Sequence, residues 1–181
     1  MMLTLLKKRR SIRKYKNQEV ETEKINQLLQ GALLAPSSRS LDPWEFIVVT
    51  DKQLLQQLAR AKQAGSSFLK QAPLAIVVLA NPQVCDVWIE DTSIATILIQ
   101  LVAESLGLGS CWIQIRERKH SEDMSSEEYV RRVLNIPEEM KVEAIVSIGY
   151  PAETKAPRRE EELKYHKVFI NGYPKPYDFQ K

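Results

Sequence analysis

The chain has 181 residues, a net charge of +3 at pH 7 and a hydrophobic content of 44%. This length suits a single domain with its own core, and the composition is ordinary for a globular protein. The small charge, without a basic stripe interleaved with aromatic residues, argues against a nucleic-acid partner, and no stretch approaches the roughly 20 apolar residues of a membrane span.

Hydrophobic spacing and turn residues divide the chain into helices and strands. In chain order, the pattern predicts a helix over 3–9, a helix over 22–34, a strand over 44–50, a helix over 52–63, a strand over 74–80, a helix over 87–106, a strand over 111–115, a helix over 125–134 and a strand over 142–149. These elements do not follow a regular βαβ repeat, so the pattern predicts an α+β layered domain.

Capping residues indicate where several helices begin and end. Asp51 is the expected N-cap of the helix at 52–63, and Ser125 or Ser126 is the expected N-cap of the last helix. Gly107 and Gly109 are expected to end the long fourth helix, because glycine favours the left-handed conformation found there.

Three segments are more apolar than a surface element should be. The run at 74–80 is continuously apolar, which is typical of a strand buried on both faces. The helix at 87–106 is apolar nearly all round between Ile94 and Leu106, which predicts a place at the centre of the fold or in an interface. The last stretch, 167–181, is predicted to be extended, and its apolar side chains must dock, most naturally on a partner subunit.

The two cysteines, Cys85 and Cys111, have no CxxC spacing. Neither a zinc site nor a disulfide framework is expected, and both thiols are expected to pack as small hydrophobic groups in a reducing cytoplasm. Cys111 is not expected to be catalytic, because nothing in the sequence places His120 or His166 beside it.

A basic run near the start is the most informative local feature. The five residues at 9–13 contain three arginines, Arg9, Arg10 and Arg13, together with the hydroxyl group of Ser11. Guanidinium groups match phosphate oxygens and serine adds a rotatable donor, so the run could hold one phosphomonoester. A solvated basic face would explain the same residues, and the run alone does not decide between the two.

A second segment joins the helix at 22–34 to the following strand through a loop with two serines, Ser37 and Ser38. Small residues in such a loop let backbone groups approach a flat ligand closely. A capped turn beside a buried Trp44 explains the same pattern, so this segment is also ambiguous alone.

Taken together, the segments are far more specific. The sequence contains Arg-Arg-Ser-Ile-Arg at 9–13, Ala-Pro-Ser-Ser at 35–38, Pro-Trp at 43–44, Gly-Leu-Gly-Ser-Cys-Trp at 107–112 and Ile-Gly-Tyr-Pro at 148–151. In this order they resemble the FMN-dependent nitroreductase family over nearly the whole chain. The resemblance implies one domain, 1–181, with an α/β/α layered fold and a mostly antiparallel central sheet. It also implies a long interface helix and a C-terminal arm, 168–181, that extends onto a partner subunit.

The resemblance further implies a homodimer with FMN at the subunit interface. The residues that would hold the FMN phosphate and ribityl chain are Arg9, Arg10, Ser11 and Arg13. The loop that would reach the partner's flavin consists of Pro36, Ser37, Ser38, Arg39 and Ser40. The strand that would line the isoalloxazine edge consists of Trp112, Ile113, Gln114 and Ile115. The late basic residue on the phosphate would be one of Lys155, Arg158 and Arg159.

The loop departs from the family pattern at three positions. The family often has asparagine where this chain has Ser40, and glutamine where it has Asp42. A serine offers one short hydroxyl where an amide offers two groups, so Ser40 is a weaker candidate than Ser37 or Ser38. Arg39 stands where a small residue is common, and it could favour an anionic substrate or the phosphate of a nicotinamide cofactor.

In function, the resemblance implies an NAD(P)H-dependent oxidoreductase that uses FMN. NADH or NADPH would reduce the flavin, which would then reduce nitroaromatics, quinones or activated alkenes in a ping-pong cycle. No side chain is expected to act as a catalytic acid or base, and Arg13 is the expected cation near the reduced flavin. Two alternatives stay open: a flavin-binding sensor without catalysis, and a flavin-fragmenting enzyme like the dimethylbenzimidazole synthases.

Overall fold

The computed structural model describes residues 2–179. Within that range the α-helices are α1 (Met2–Lys8), α2 (Thr22–Leu33), α3 (Lys52–Leu58), α4 (Trp88–Ser105) and α5 (Ser126–Leu134). The β-strands are β1 (Trp44–Val49), β2 (Leu74–Ala80), β3 (Gly109–Gln114) and β4 (Lys141–Gly149). Short 3-10 turns lie at Ser38–Ser40, Ser67–Gln71, Glu160–Glu162 and Tyr165–Lys167. No helix within residues 2–179 is both long and apolar enough to span a bilayer.

The four strands form one sheet in the order β1-β2-β4-β3. Every neighbouring pair is antiparallel. Strand β2 is interior and all seven of its residues are buried, which confirms the prediction from its continuous apolar run. Strands β1 and β3 form the two edges of this sheet.

Helices cover both faces of the sheet. Ile76 and Val77 are neighbours in β2, yet they belong to different hydrophobic clusters because successive side chains of a strand point to opposite faces. Ile76 packs in the cluster that contains Leu28 of α2 and Ile99 of α4. Val77 packs in the cluster that contains Leu55 of α3 and residues of α5. The α/β/α layering and the antiparallel sheet are therefore confirmed.

Two predicted helix caps are confirmed by their hydrogen bonds. The side chain of Asp51 accepts the backbone N–H of Leu54 at 2.8 Å. Ser125, rather than Ser126, caps α5, because its hydroxyl accepts the backbone N–H of Glu128 at 3.0 Å. Each contact satisfies one of the N–H groups that have no acceptor within the first turn of a helix.

Gly107 ends α4 as predicted. Its φ of 73° lies in the left-handed region. Its N–H donates to the carbonyl of Glu104 at 3.2 Å, and the N–H of Leu108 donates to the carbonyl of Ala103 at 2.9 Å. These two bonds form a Schellman motif, which a glycine at this position favours.

Gly109 has a different role from the predicted one: it is the first residue of β3, which begins two residues earlier than expected. A Cβ atom at Gly109 would lie 2.8 Å from the side chain of Ile12. The missing side chain lets the N-terminal segment lie against the edge of the strand, where Ser11 pairs with Ser110 in parallel and the N–H of Ile12 donates to the carbonyl of Ser110 at 2.9 Å. This contact determines where the basic run lies.

The third helix is shorter than predicted, since α3 ends at Leu58 and not at 63. The hydroxyl of Ser66 donates to the carbonyl of Ala59 at 2.9 Å and accepts the N–H of Lys62 at 3.3 Å. The hydroxyl of Ser66 thus bonds a carbonyl and an N–H group that a longer helix would pair with its own backbone. The chain therefore turns away from the helix axis.

The C-terminal segment is not simply extended, as predicted, but turns back on itself. The N–H of Ile170 donates to the carbonyl of Lys175, and the N–H of Tyr177 donates to the carbonyl of Val168, both at 2.9 Å. The turn contains Asn-Gly at 171–172, a pair that readily adopts the positive φ values found here. The last two predicted residues, 180–181, lie outside the described residues.

Candidate functional site

The basic run at 9–13 lies beside the segment that follows β4. Lys155 Nζ donates to the backbone carbonyl of Ser11 at 2.5 Å. The guanidinium of Arg10 donates to the carbonyl of Ala156. The structure therefore brings Lys155 to the predicted phosphate-binding run, although about 145 residues separate them in sequence.

The three arginines of this run have side chains open to an anion. Within residues 2–179, none of Arg9, Arg10 and Arg13 forms an ion pair with a carboxylate. The guanidinium of Arg13 lies 5.7 Å from the centre of the Phe68 ring. Guanidinium groups near one another without a carboxylate partner repel one another, and a phosphate would relieve that repulsion. The donor set thus fits a phosphate group.

The thiol of Cys111 lies next to the same charges. Burial raises the pKa of Cys111, while the nearby positive charge of Arg13, a hydrogen bond from Ser11 and the charges of Lys155 and Arg9 act in the opposite direction. These side chains therefore converge around the start of β3.

The other late basic residues do not join this cluster in the same way. Arg158 contributes a backbone contact, since its N–H donates to the carbonyl of Lys7 at 2.9 Å. The side chain of Arg159 is 74% exposed, and its Nε pairs with Glu162 at 3.3 Å. Of the three candidates, Lys155 is the one whose side chain contacts the basic run.

Glu153 is a site residue that the sequence reasoning missed. Its Oε1 accepts the backbone N–H of Arg13 at 2.6 Å and that of Lys14 at 3.3 Å, and it lies 3.6 Å from Lys155 Nζ. One carboxylate thus fixes the backbone of the basic run and the side chain of Lys155. The available signal was a single acidic residue just before Lys155 in a segment otherwise rich in basic residues.

The serine loop, residues 36–40, lies against the start of α4. Ser37 Oγ accepts the N–H of Asp42 at 3.0 Å, and the N–H of Ser38 donates to Asp91 Oδ1 at 3.0 Å. Asp91 is only 3% exposed and also accepts a hydrogen bond from Cys85 at 3.4 Å. The loop is therefore held by a buried carboxylate that the sequence reasoning did not identify.

This loop also carries backbone strain. Arg39, Ser40 and Asp42 have φ values of 55°, 52° and 46°, a region that residues other than glycine adopt at a cost. Such strain is concentrated at functional sites, where surrounding contacts maintain it. The guanidinium of Arg39 pairs with Asp86, so an anionic substrate would have to compete with this carboxylate.

The basic run and the serine loop lie at opposite ends of α4. Ser38 contacts Asp91 in the first turns of the helix, whereas Ile12 contacts Ser110, just after its end. A helix of 18 residues is about 27 Å long at 1.5 Å per residue. Within one chain, therefore, these two predicted groups of site residues do not form one site. Pro36, the first residue of the serine loop, is exposed.

Strand β3 offers its backbone and only some of its side chains to a ligand. The side chains of Ile113 and Ile115 are buried in the core. The contact of Ile12 with Ser110 occurs at the open edge of β3, and strand alternation directs the backbone groups of Trp112 and Gln114 to that same edge. The four predicted residues of this segment therefore differ in what they can contribute.

The first prediction concerns the pH dependence of stability. The backbone N–H of Arg13 is the largest cause that holds the pKa of Glu153 below its usual range. Its carboxylate therefore stabilises the fold above the ordinary glutamate value of about 4.3, and this contribution is lost as the pH falls through the lowered folded value. We expect Glu153→Gln to lose less stability than the unmodified protein between about pH 6 and about pH 3.

Urea unfolding at the two pH values measures this difference. Glu138→Gln is the matched control, because it makes the same change of charge away from the basic run. An equal loss of stability in Glu153→Gln and the unmodified protein would contradict the assignment.

Comparison with known proteins identifies the family. The model of the Nitroreductase family matches residues 6–150. A protein of Archaeoglobus fulgidus, provisionally named an NADH dehydrogenase/NAD(P)H nitroreductase, is 40% identical over 157 residues, which cover 84% of this chain and 87% of the relative. An iodotyrosine deiodinase of Thermotoga neapolitana is 26% identical over 192 residues, which cover 92% of this chain and 98% of that protein.

A solved structure supports the same relationship. An FMN-dependent nitroreductase from Clostridium difficile superimposes with a TM-score of 0.93 at 51% sequence identity, covering 94% of this chain and 99% of that one. The match to the family model, residues 6–150, includes the basic run, the serine loop and β3. On these grounds the chain belongs to the nitroreductase family and is an oxidoreductase.

Proposed function

We propose that this chain is an FMN-dependent NAD(P)H oxidoreductase that reduces electron-poor acceptors such as nitroaromatics, quinones or activated alkenes. The observation that carries the proposal is the group of Arg9, Arg10, Ser11, Arg13 and Lys155 beside the open edge of β3. When bound, FMN would supply the redox chemistry, a hydride transfer from NAD(P)H to the acceptor in two half-reactions.

The chain's own residues bind and orient the cofactor. The three arginines, Lys155 and the hydroxyl of Ser11 are suited to the oxygens of a phosphate, because charge-assisted hydrogen bonds are the strong ones. Arg13 is suited to stabilise negative charge that develops on the ring. The backbone groups of Trp112 and Gln114, at the edge of β3, are suited to hydrogen-bond the edge of a flat ring. The names of the relatives support both FMN and NAD(P)H as cofactors.

We also propose a homodimer with two FMN sites at the subunit interface. Ile94 and Ile97 of α4 are 38% and 37% exposed in the single chain. Further apolar side chains are exposed on neighbouring elements, namely Met2, Leu3 and Leu6 on α1 and Leu33 and Leu34 at the end of α2. Exposed apolar side chains gathered on helices that pack together, as α1 and α2 pack on α4, are typical of an interaction site.

The separation of the site residues supports the dimer independently. The serine loop and the basic run lie beyond opposite ends of α4, so one chain alone does not bring them together. In a twofold dimer each chain supplies the same surface to the other, and the loop of one can approach the basic run of its partner.

The C-terminal arm, 168–181, belongs to the same proposal. Its exposed apolar side chains in the described part are Val168, Phe169, Ile170, Tyr173, Tyr177 and Phe179. We propose that they dock on the partner subunit, with 1–181 as one domain. A cytoplasmic location fits the two cysteines, Cys85 and Cys111, which are buried free thiols.

The reaction itself gives the second prediction. The purified protein should be yellow, and NADH or NADPH added without oxygen should bleach the flavin absorption. Menadione or nitrofurazone should then restore it, because the acceptor reoxidises the flavin. A yellow protein that neither nicotinamide bleaches would contradict the proposal and favour a flavin-binding protein without this activity.

The third prediction concerns the basic run. Arg9→Ala and Arg13→Ala should each weaken FMN binding about 10- to 100-fold, since a hydrogen bond to a charged group contributes about 1.5–3 kcal/mol. Lys155→Ala should weaken it similarly and Arg159→Ala should not, because Arg159 is turned toward Glu162. Fluorescence titration with FMN measures the affinities, and Arg132→Ala on α5 is the control. Unchanged affinity in the Arg9 and Arg13 variants would exclude the assignment.

The fourth prediction concerns the dimer. Ile97→Glu places a charge on the exposed apolar face of α4 and should convert the dimer to a monomer with weakened FMN binding, since burying a charge is costly. Gln53→Glu on α3 adds the same charge to the opposite layer and should leave the dimer intact. Sedimentation velocity separates the two states. An unmodified protein that sediments as an FMN-loaded monomer would contradict the dimer proposal.

A further inference from the structure

Glu143 is a carboxyl group in β4 that the site described above does not use. It is only 3% exposed. Its Oε2 has no hydrogen-bond partner within the part of the chain that the structure describes. A buried polar atom without a partner is costly and rare in folded proteins, so its retention requires an explanation.

The side chain of Glu143 is directed by an irregularity in the sheet. The residues on either side of Glu143 pair with the adjacent residues Val78 and Leu79 of β2, so Glu143 has no partner residue on that strand. On the other side, its carbonyl oxygen accepts the N–H groups of both Ile115 and Arg116 at 3.1 Å. Such a β-bulge re-aims a side chain, here toward the end of β3.

A chain of hydrogen bonds leads from Glu143 to Trp112. Gln114 Nε2 donates to Glu143 Oε1 and to the carbonyl of Arg116, both at 3.2 Å. Gln114 Oε1 accepts the indole N–H of Trp112 at 2.9 Å. Because an indole N–H only donates, the amide of Gln114 has one possible orientation, and both of its N–H bonds are used.

Trp112 is the last residue in this series of hydrogen bonds, and its place on β3 determines what the series can affect. Trp112 and Gln114 are two residues apart on β3, so their side chains lie on the same face of the strand. Both are half-buried, in contrast to the fully buried Ile113 between them. The orientation of the indole therefore depends on its hydrogen bond to Gln114 as well as on packing.

We propose that Glu143 is a positioning residue that acts through Gln114 to fix the indole of Trp112 at the open edge of β3. The part of this inference that concerns flavin rests on the proposed function, in which that edge lines the isoalloxazine ring. The contacts that carry it are the bulge, the buried carboxyl group and the two hydrogen bonds of Gln114.

The carboxyl group is also placed to make this arrangement respond to pH. Burial raises the pKa of Glu143, the Gln114 hydrogen bond and the charge of Arg116 lower it, and the charges of Glu117 and of Glu127 on α5 raise it further. Glu127 is itself paired with Lys141 at 3.5 Å and with Arg131 on α5 at 3.9 Å. Protonation removes the charge from the bond between Gln114 and Glu143 and so weakens it.

The experiment follows the indole ¹H–¹⁵N resonance of Trp112 in the full chain as purified, assigned with Trp112→Phe. In the unmodified protein the resonance should shift with pH, with a midpoint above the ordinary glutamate value. Glu143→Gln keeps an acceptor for Gln114 but cannot titrate, so its resonance should lose the pH-dependent shift. Glu127→Gln should keep the shift and move the midpoint to lower pH, because it removes a negative charge that favours protonation.

A second variant guards against misfolding of the first. Glu143→Leu removes the acceptor of the Gln114 amide and should displace the Trp112 resonance at every pH. Gln114→Leu removes the residue that links Glu143 to Trp112, so it should abolish the pH-dependent shift. A resonance in Glu143→Gln that titrates as in the unmodified protein would overturn the inference. So would a resonance that neither Glu143→Leu nor Gln114→Leu displaces.

Flavin gives a separate readout, so the two proposals can fail independently. If FMN binds, the pH dependence of its visible spectrum should be reduced in Glu143→Gln relative to the unmodified protein. A Trp112 resonance that responds as expected in a protein that binds no FMN would support the positioning role and defeat the proposed function. Normal FMN binding in a protein whose Trp112 resonance does not respond to pH would support the proposed function and contradict the positioning role of Glu143.

Discussion

The N-terminal segment lies against the edge of β3 beside Gly109, and the position of the proposed phosphate site depends on this contact. Any side chain at Gly109 would collide with Ile12, and the hydrogen bond from Ile12 to Ser110 anchors the segment to the strand. Ser11 and Arg13 flank Ile12, so the contact that places the buried isoleucine also places the polar groups on either side of it. Core packing and ligand binding are thus determined by the same few atoms.

The long helix α4 separates two groups of residues that the proposed function places in one site. Its buried face includes the polar side chains of Asp91, Thr92, Thr96 and Gln100, whereas Ile94 and Ile97 remain exposed. The buried polar side chains of Asp91, Thr92 and Thr96 have hydrogen-bond partners within the chain, whereas the two isoleucines leave apolar surface in water. In the proposed dimer, a second copy would cover this exposed face and bring its serine loop to the basic run.

Sequence patterns predicted most of the fold because the relevant forces are local. The apolar run of β2 and the capping side chains of Asp51 and Ser125 depend on residues close together in the chain. The end of α3 at Leu58 was not predictable, because it depends on a hydroxyl group eight residues further on. The tail was expected to be extended, and the turn at Asn171 and Gly172 folds it back on itself.

The basic run was predictable as a motif, whereas the acidic residues that organise the site were not. Glu153 contacts Arg13 and Lys14 across about 140 residues of sequence, and Glu143 reaches Gln114 only because a bulge redirects its side chain. The sequence around each position shows a single acidic residue, beside Lys155 for Glu153 and within an apolar strand for Glu143, but it does not show which group each carboxylate contacts. Such contacts follow from strand register, which a single sequence does not reveal.

A carboxylate within the proposed phosphate site is physically reasonable because it lies among several positive charges. Arg9, Arg10, Arg13 and Lys155 carry four positive charges, and Glu153 reduces their sum to three. Without an anion, four cations held close together would repel one another and favour a displaced N-terminal segment. Glu153 reduces this repulsion. Its Oε1 also accepts the backbone N–H groups of Arg13 and Lys14, so a phosphate does not have to orient this backbone. The carboxylate therefore lowers the attraction for an anion somewhat, but it keeps the donors in position before the anion arrives, which reduces the entropy lost on binding.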